Sequence, residues 1–329
     1  MIKALANVVG IDVAKSKLDL ACLIQPGKYR TRANVPNALS GYQQLLAWLQ
    51  THAQPHAWVV MEATNVYHEA VASFLHEHGY RVCVANPAQV AGYAKSELAR
   101  IKTDKTDAKL IVRFGLSHEA QLRTWQPPTP AQRTLMALTR RLDDLKALRQ
   151  MESNRLETAD PAVRGSLQAV LERLDEQIKA TEAAIHQHID DDPDLRRQRD
   201  LLVSIKGVQE RTASRLLAEL GDIHRFRDVR AMVAFVGLNP ALRESGQWKG
   251  HVRISKIGSS VLRAALYMPA VTAMQHNPHV RAMARRLKAR GKPGKVIAVA
   301  AMRKLLHIVF GVLKNRQPFD PALGLTMAK

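Results

Sequence analysis

Four carboxylates in this chain stand where a divalent cation could be held. Asp12 closes the apolar run Val8-Val9-Gly10-Ile11-Asp12, and Glu62 closes Trp58-Val59-Val60-Met61-Glu62. A carboxylate at the end of an apolar strand sits on a rigid edge, which is what a metal site needs. Asp104 and Asp107 lie three residues apart in Lys102-Thr103-Asp104-Lys105-Thr106-Asp107-Ala108, so they share one face if that stretch is helical. Four such charges gathered together repel one another unless cations neutralise them. All-oxygen donors suit Mg²⁺, with Mn²⁺ as the alternative. Two such ions about 4 Å apart stabilise both oxygens of a phosphodiester exchange. Taken singly, each acid also has an ordinary structural reading, Asp12 as a turn former and Asp104 as a helix N-cap.

The elements that must position these acids are legible in residues 1–125. Strands are predicted over Val8–Asp12, Lys17–Ile24 and Tyr29–Val35, followed by a helix over Ala38–His52 and a strand over Trp58–Glu62. A helix over His68–His78, a strand over Arg81–Ala85 and a helix through Asp107–Gly115 complete the segment. The order βββαβαβα predicts an α/β domain, a mixed sheet with helices on its faces. It is the order of a ribonuclease-H-like (RuvC-like) domain.

Pro127-Pro128-Thr129-Pro130 is a stiff break. Over residues 126–200, Leu135, Leu138, Leu142 and Leu145 recur at helical steps, and Leu167, Leu171, Leu174, Ile178, Thr181 and Ile185 do the same beyond Asp160-Pro161 and Gly165. Two long helices in an antiparallel or intermolecular coiled coil explain both series. Asp190-Asp191-Asp192-Pro193 reads as the solvated end of the second helix rather than a metal site. Residues 201–329 are mainly helical, with Gly/Ser-rich turns near Ser245-Gly246 and Gly258-Ser259-Ser260. At their start Leu201–Ile205, Lys206-Gly207-Val208 and Thr212–Leu220 read helix, turn, helix, similar to a helix-hairpin-helix module. In such a module turn amides and a nearby lysine hold a DNA phosphate without reading sequence. An ordinary helical turn gives the same pattern.

Charge narrows the partner. The net charge is +20, and residues 201–329 alone carry 23 Lys and Arg against 6 Asp and Glu. Such an excess points to a polyanion. No basic amphipathic helix with a Trp/Phe face stands out, and apolar runs such as Val296–Ala301 are far shorter than a membrane span, so nucleic acid is expected and membrane is not. Lys206, Gly207, Arg253, Lys256 and Arg263 are the candidate nucleic-acid contacts. Cys22 and Cys83 lie inside strand-like runs and read as small buried hydrophobes. With no cleavable signal pattern after Met1, a cytoplasmic protein is expected. No Gly-rich loop ending in Lys-Ser/Thr occurs, which argues against ATP-driven chemistry. His76 and His78, two residues apart on a helix, do not converge on one metal and read as surface residues.

Ile11-Asp12-Val13-Ala14-Lys15, Met61-Glu62-Ala63-Thr64 and the Asp104/Asp107 stretch resemble the motifs of the DEDD transposases, the recombinases of bacterial insertion sequences described as guided by a bridge RNA. Ala234-Phe235-Val236-Gly237-Leu238-Asn239-Pro240, Arg243-Glu244-Ser245-Gly246, Ile254-Ser255-Lys256-Ile257-Gly258, Leu262–Met268 and Gly294-Lys295 extend the likeness to nearly the whole chain. The resemblance implies that Asp12, Glu62, Asp104 and Asp107 are metal-binding catalytic acids and that Ser245 is the catalytic serine of an α-helical transposase domain. It implies a composite site built from different subunits, hence at least a dimer, with a tetramer in the strand-exchange complex. The partners implied are target and donor DNA and a structured noncoding guide RNA. Serine attack gives a phosphoserine link that conserves the energy of the cut bond for rejoining. Without the resemblance, Ser245-Gly246 is a plain turn. Two other readings stand beside this one: a RuvC-like junction-resolving nuclease in which water replaces Ser245, and a nucleic-acid-binding module with a dead site.

Overall fold

A computed structural model describes residues 6–63, 66–97, 104–241, 244–245, 248–249, 253–255 and 257–322, with the backbone alone at 104–106, 244, 245, 248, 249 and 253. The chain separates into two compact units, Met1–Pro127 and Pro128–Lys329.

Unit one is built on β1 (Ala6–Val13), β2 (Lys17–Gln25), β3 (Lys28–Pro36), β4 (Ala53–Glu62) and β5 (Arg81–Ala85), ordered β3-β2-β1-β4-β5. The first three strands run antiparallel, and β1, β4 and β5 run parallel. β1 and β4 are central strands covered on both faces, which is why their sequences are apolar without alternation. On one face Val9, Ile11, Val59 and Met61 pack against α1 (Leu39–His52) and α2 (Glu69–Glu77) through Leu45, Leu49, Val71 and Leu75. On the other, Val8, Val60 and Cys83 meet α3 (Pro87–Ser96) and α4 (Asp104–Ser117) through Val90, Ile111 and Phe114. Each fully buried aliphatic side chain contributes roughly 1.5–3 kcal/mol relative to exposure. Cys22 and Cys83 are free and buried, and burial pushes both thiols above their ordinary pKa.

Three details depart from the sequence reading. The helix α3 follows Asn86-Pro87, where only a strand end is expected. Its apolar pattern is weak, and it forms because the Asn86 side chain accepts from the Ala88 amide at 2.8 Å while Pro87 occupies the first turn. The following helix starts at Asp104 rather than near Asp107. Asp12 lies inside its strand, one residue from the end, because Val13 still pairs with Leu18.

Unit two opens with α5 (Pro130–Glu157) and α6 (Pro161–Asp191), an antiparallel hairpin within one chain. Arg149 donates to Asp175 at 2.5 Å and Lys146 to Glu182 at 2.6 Å, stitching the two helices together. The Asp160 side chain caps α6 at the Ala162 amide, so Gly165 sits within this helix instead of breaking it. The acidic run ends α6 as expected, and Asp192 caps the next helix through the Asp194 and Leu195 amides. Leu135, Leu142, Leu145, Ile178, Ile185 and Ile189 share one core with α7 (Pro193–Val203), α8 (Glu210–Leu220), α9 (Val229–Val236), α10 (Ser260–His276), α11 (Pro278–Ala289) and α12 (Gly294–Asn315).

Between α9 and α10 the described residues form two short ladders rather than simple turns. β6 (Pro240–Ala241) pairs with β9 (Arg253–Ile254), and β7 (Glu244–Ser245) pairs with β8 (Trp248–Lys249). Gly294–Asn315 has the length and composition of a membrane-crossing helix, although Lys295, Arg303, Lys304 and Lys314 interrupt its apolar runs. In this fold it is the central core helix: Ile297, Ala301, Leu305, Leu306 and Val309 are buried, and it packs against α7, α9, α10 and α11.

Candidate active site

Asp12 and Glu62 are neighbours by strand register. β1 and β4 pair Val9 with Val59, Gly10 with Val60 and Ile11 with Met61, so the next rung carries Asp12 beside Glu62. Side chains alternate across a sheet, so residues 8, 10 and 12 of β1 and 58, 60 and 62 of β4 face one way. That face is the one under α4. A Cβ on Gly10 would stand 2.5 Å from the Ala108 carbonyl oxygen, and one on Gly115 would stand 2.7 Å from Val8 and 3.1 Å from Val60. These two close approaches lay α4 along β1 with its carboxyl end over Val8 and its first turns over Gly10. Continuing from Val8 through Gly10, the strand leads to Asp12, so the amino end of α4 points toward the Asp12–Glu62 rung. Asp107 precedes Ala108 in that first stretch, and Asp104 is the first residue of the helix.

Asp12, Glu62 and Asp107 are each half-buried and each engaged with neighbours. The Asp104 side chain lies outside the described part of the structure. Among the described residues, no three His, Cys, Asp or Glu side chains form a group able to hold a metal ion. The donor type alone suits a hard cation, since Asp12, Glu62 and Asp107 offer only carboxylate oxygens, but these three do not converge into a metal-holding group.

A further acid on this face escapes the sequence reading. Asp19 is the direct cross-strand partner of Asp12, is 3% exposed, and shares the α4 side with Ala21. Its carboxylate accepts from the Asn34 amide at 3.0 Å and lies 3.4 Å from Lys17 Nζ. Asn34 has φ +57 and sits where the β2–β3 register shifts, so Asp19 satisfies a donor that the bulge removes from the ladder. The signal for it is Lys17-Leu18-Asp19-Leu20, a lone acid inside an apolar strand.

In unit two the backbone of Ser245 lies on β7, opposite Trp248. Arg253 lies on β9 by its backbone, and Lys256 falls outside the described residues. Arg263 on α10 donates from Nη1 to the Val236 carbonyl at 2.9 Å and the Gly258 carbonyl at 3.1 Å, so it braces the turn between α9 and α10. Lys206 is exposed in the turn between α7 and α8, and its carbonyl accepts from the buried Asn277 side chain at 3.4 Å. Gly207 beside it has φ +106, and a Cβ there would stand 2.9 Å from Ala273 Cβ. This glycine is required by both its backbone and its packing against α10.

Comparison with known proteins supplies the family. Residues 9–159 match the profile of the IS110-type DEDD transposases, and residues 199–285 match that of the IS116/IS110/IS902 transposase family. The chain is 31% identical over 316 residues to the pilin gene-inverting protein of Moraxella bovis, covering 95% of this chain and 97% of that protein. It is 26% identical over 299 residues to the transposase for insertion sequence element IS1111A of Coxiella burnetii, covering 82% and 78% of the two chains. A mini-circle putative transposase for IS117 of Streptomyces coelicolor is 23% identical, with 94% of each chain covered. The chain therefore belongs to the IS110 family of DEDD transposases, and its activity is that of a DNA transposase or recombinase.

Proposed function

We propose that this transposase cuts and rejoins DNA through a serine-linked intermediate, with Asp12, Glu62, Asp104 and Asp107 as its catalytic acids. The observation that carries the acid half is the β1–β4 register beneath α4, which sets two strand carboxylates side by side under the amino end of the helix that bears the other two. The mixed five-stranded sheet flanked by helices supports a ribonuclease-H-like (RuvC-like) reading of unit one.

The acids would hold Mg²⁺ or Mn²⁺, which when bound supplies charge neutralisation at the phosphodiester being exchanged. The protein's own part is positioning. Asp12 is held opposite Asp19 in the β1–β2 ladder and Glu62 opposite Ala85 in the β4–β5 ladder, so little backbone reorganisation accompanies DNA binding. In the serine step, the Ser245 Oγ–phosphorus bond forms as one bridging phosphorus–oxygen bond of the DNA breaks. The hydroxyl proton ends on the departing oxygen, leaving a DNA hydroxyl and a phosphoserine link. Attack by a DNA hydroxyl from the other duplex reverses the step, releases the serine and joins the new strands. No high-energy nucleotide is consumed, because one phosphodiester is exchanged for another.

A composite site formed by acids of one subunit and the serine of another belongs to this reading. Exposed apolar residues toward the far end of the α5–α6 hairpin support self-association: Leu148 and Met151 on α5, Val163 and Val170 on α6. Target and donor DNA are the substrates, with selection by a structured noncoding RNA, in the bacterial cytoplasm at the nucleoid. Inversion of a DNA segment, named for the Moraxella relatives, is an outcome the same chemistry allows. The test is a cleavage assay on Asp12→Ala, Glu62→Ala, Asp104→Ala and Asp107→Ala with RNA transcribed from the flanking noncoding DNA. Each variant is expected to bind DNA without cutting it, and a variant that recombined at wild-type rate would remove its residue from the site.

A further inference from the structure

The strongest unassigned feature of the molecule is the outer surface of α11. Between Asn277 and Arg303 the sequence holds seven cations and no acid, and all seven are exposed: Arg281, Arg285, Arg286, Lys288, Arg290, Lys292 and Lys295. Among the described residues none of the seven pairs with a carboxylate. Clustered, unneutralised charge of one sign is costly to the isolated protein, and an outside polyanion relieves that cost.

The arrangement around the helix says more than the count. At 100° per residue, Val280, Met283, Ala284 and Leu287 fall on one side, which is the side turned into the molecule, with Val280 fully buried and the other three partly so. Arg281, Arg285 and Lys288 form one row along a flank of the exposed side. Arg286 and Arg290 form a second row along the opposite flank. Between the rows, at the outermost point of the helix, stand Ala282 and Ala289, both exposed. A helix with a small-residue crest and a basic row on each side matches a duplex groove. The crest lets the helix backbone sink between the strands, and each row meets the phosphates of one strand. A major groove about 12 Å wide admits a helix of about 10–12 Å diameter. The exposed side of α11 has no aromatic residue for bases to stack on, which disfavours single-stranded nucleic acid. Lys292 in the turn before α12 and Lys295 in the first turn of α12 continue the basic surface, and no side chain caps that helix.

We propose that α11 is a duplex-DNA docking helix, lying along a groove with Arg281, Arg285 and Lys288 on one strand and Arg286 and Arg290 on the other, and contacting phosphates without reading sequence. The inference rests on the family's action on DNA and is independent of the acid cluster and of Ser245. The second family match ends at residue 285, so most of this surface lies beyond it.

The test is fluorescence anisotropy of a short random-sequence duplex with the full-length protein across a salt series, so no cleavage is read. Two variants remove one row each: Arg281→Ala/Arg285→Ala/Lys288→Ala and Arg286→Ala/Arg290→Ala. Alanine keeps the helix, and circular dichroism and thermal melting check the fold. A charge-matched control, Arg133→Ala/Arg141→Ala/Lys179→Ala, removes three exposed cations from the hairpin. Every phosphate that the protein no longer neutralises lowers the slope of log affinity against log salt by about 0.9. The first row variant is expected to flatten the slope by about 2–3 and the second by about 1–2, with the control unchanged. Equal flattening in the control would mean that bulk charge rather than this helix binds DNA, and would overturn the proposal. So would a slope altered by only one row, or one altered for a structured RNA and not for duplex DNA.

Discussion

The two regions that carry the proposed chemistry are held in very different ways. Asp12 sits on a central strand paired on both edges, with α4 pressed on its face at Gly10. Among the described residues, Ser245 sits on a two-residue strand paired with Trp248-Lys249, between α9 and α10. A residue in the first setting can be displaced only by disturbing a core. A residue in the second has two ladder rungs among the described residues. The difference suits the proposed roles, with the acids on a rigid frame and the serine on a small ladder of its own.

The largest effect expected is at the acids. Asp12→Asn and Glu62→Gln, which keep shape and remove charge, should lower strand cleavage about a thousand-fold or more in a gel assay, with thermal melting close to wild type. Retained cleavage would show that the rigid frame carries no chemistry.

Two glycines allow each region to be disturbed separately. Gly10→Ala forces a methyl against the Ala108 carbonyl and should lift α4 from the sheet, costing about 1–3 kcal/mol in chemical denaturation together with cleavage. Gly258→Ala strikes the other region: φ is +140 and the new Cβ would stand 2.3 Å from the Phe235 carbonyl. That variant should lose strand joining while limited proteolysis shows unit one intact. Equal damage to unit one from both changes would contradict the separation.

How far these features could be read in advance follows the same line. The apolar runs ending near Asp12 and Glu62 reveal their strands, because burial on both faces demands continuous apolar sequence. The spacing of Leu135 to Leu145 reveals a helix, because one face must be covered. Helix α3 stays hidden, since its start depends on the Asn86 cap rather than on periodicity. The ladders around Ser245 are hidden too, as two-residue strands leave no period to detect. Asp19 is overlooked because its role is set by a bulge on the neighbouring strand, and α11 because its basic rows become visible only once the buried face is known.

A smaller effect is expected at the hairpin. If subunits complete each other's sites, Leu148→Glu/Val170→Glu should reduce the assembled mass in light scattering and slow cleavage about ten-fold or more, since each charge replaces an apolar contact worth roughly 1.5–3 kcal/mol. Leu174 is a poorer probe because it packs against the core of its own unit. Unchanged mass would confine the hairpin's apolar surface to another role.

The smallest effect is electrostatic. The hydrogen bond from Arg149 holds Asp175 below the ordinary carboxylate range, and Lys146 does the same for Glu182. A depressed carboxylate pKa contributes stability that is complete above the unfolded-state value and vanishes as pH falls through the folded-state value. Acid should therefore loosen the hairpin slightly, and Asp175→Asn should blunt that effect in melting curves below the ordinary carboxylate pKa.

Ser245 is proposed to carry the DNA between cutting and joining, and denaturing electrophoresis of end-labelled DNA is the decisive test. Wild-type protein incubated with Mg²⁺ and guide RNA should give a protein-linked DNA band that survives denaturation and disappears on protease treatment. Ser245→Ala should bind the same RNA and DNA and give neither that band nor free ends. Free nicked ends from both proteins, with no linked band from either, would make water the nucleophile and the enzyme a resolvase-like nuclease.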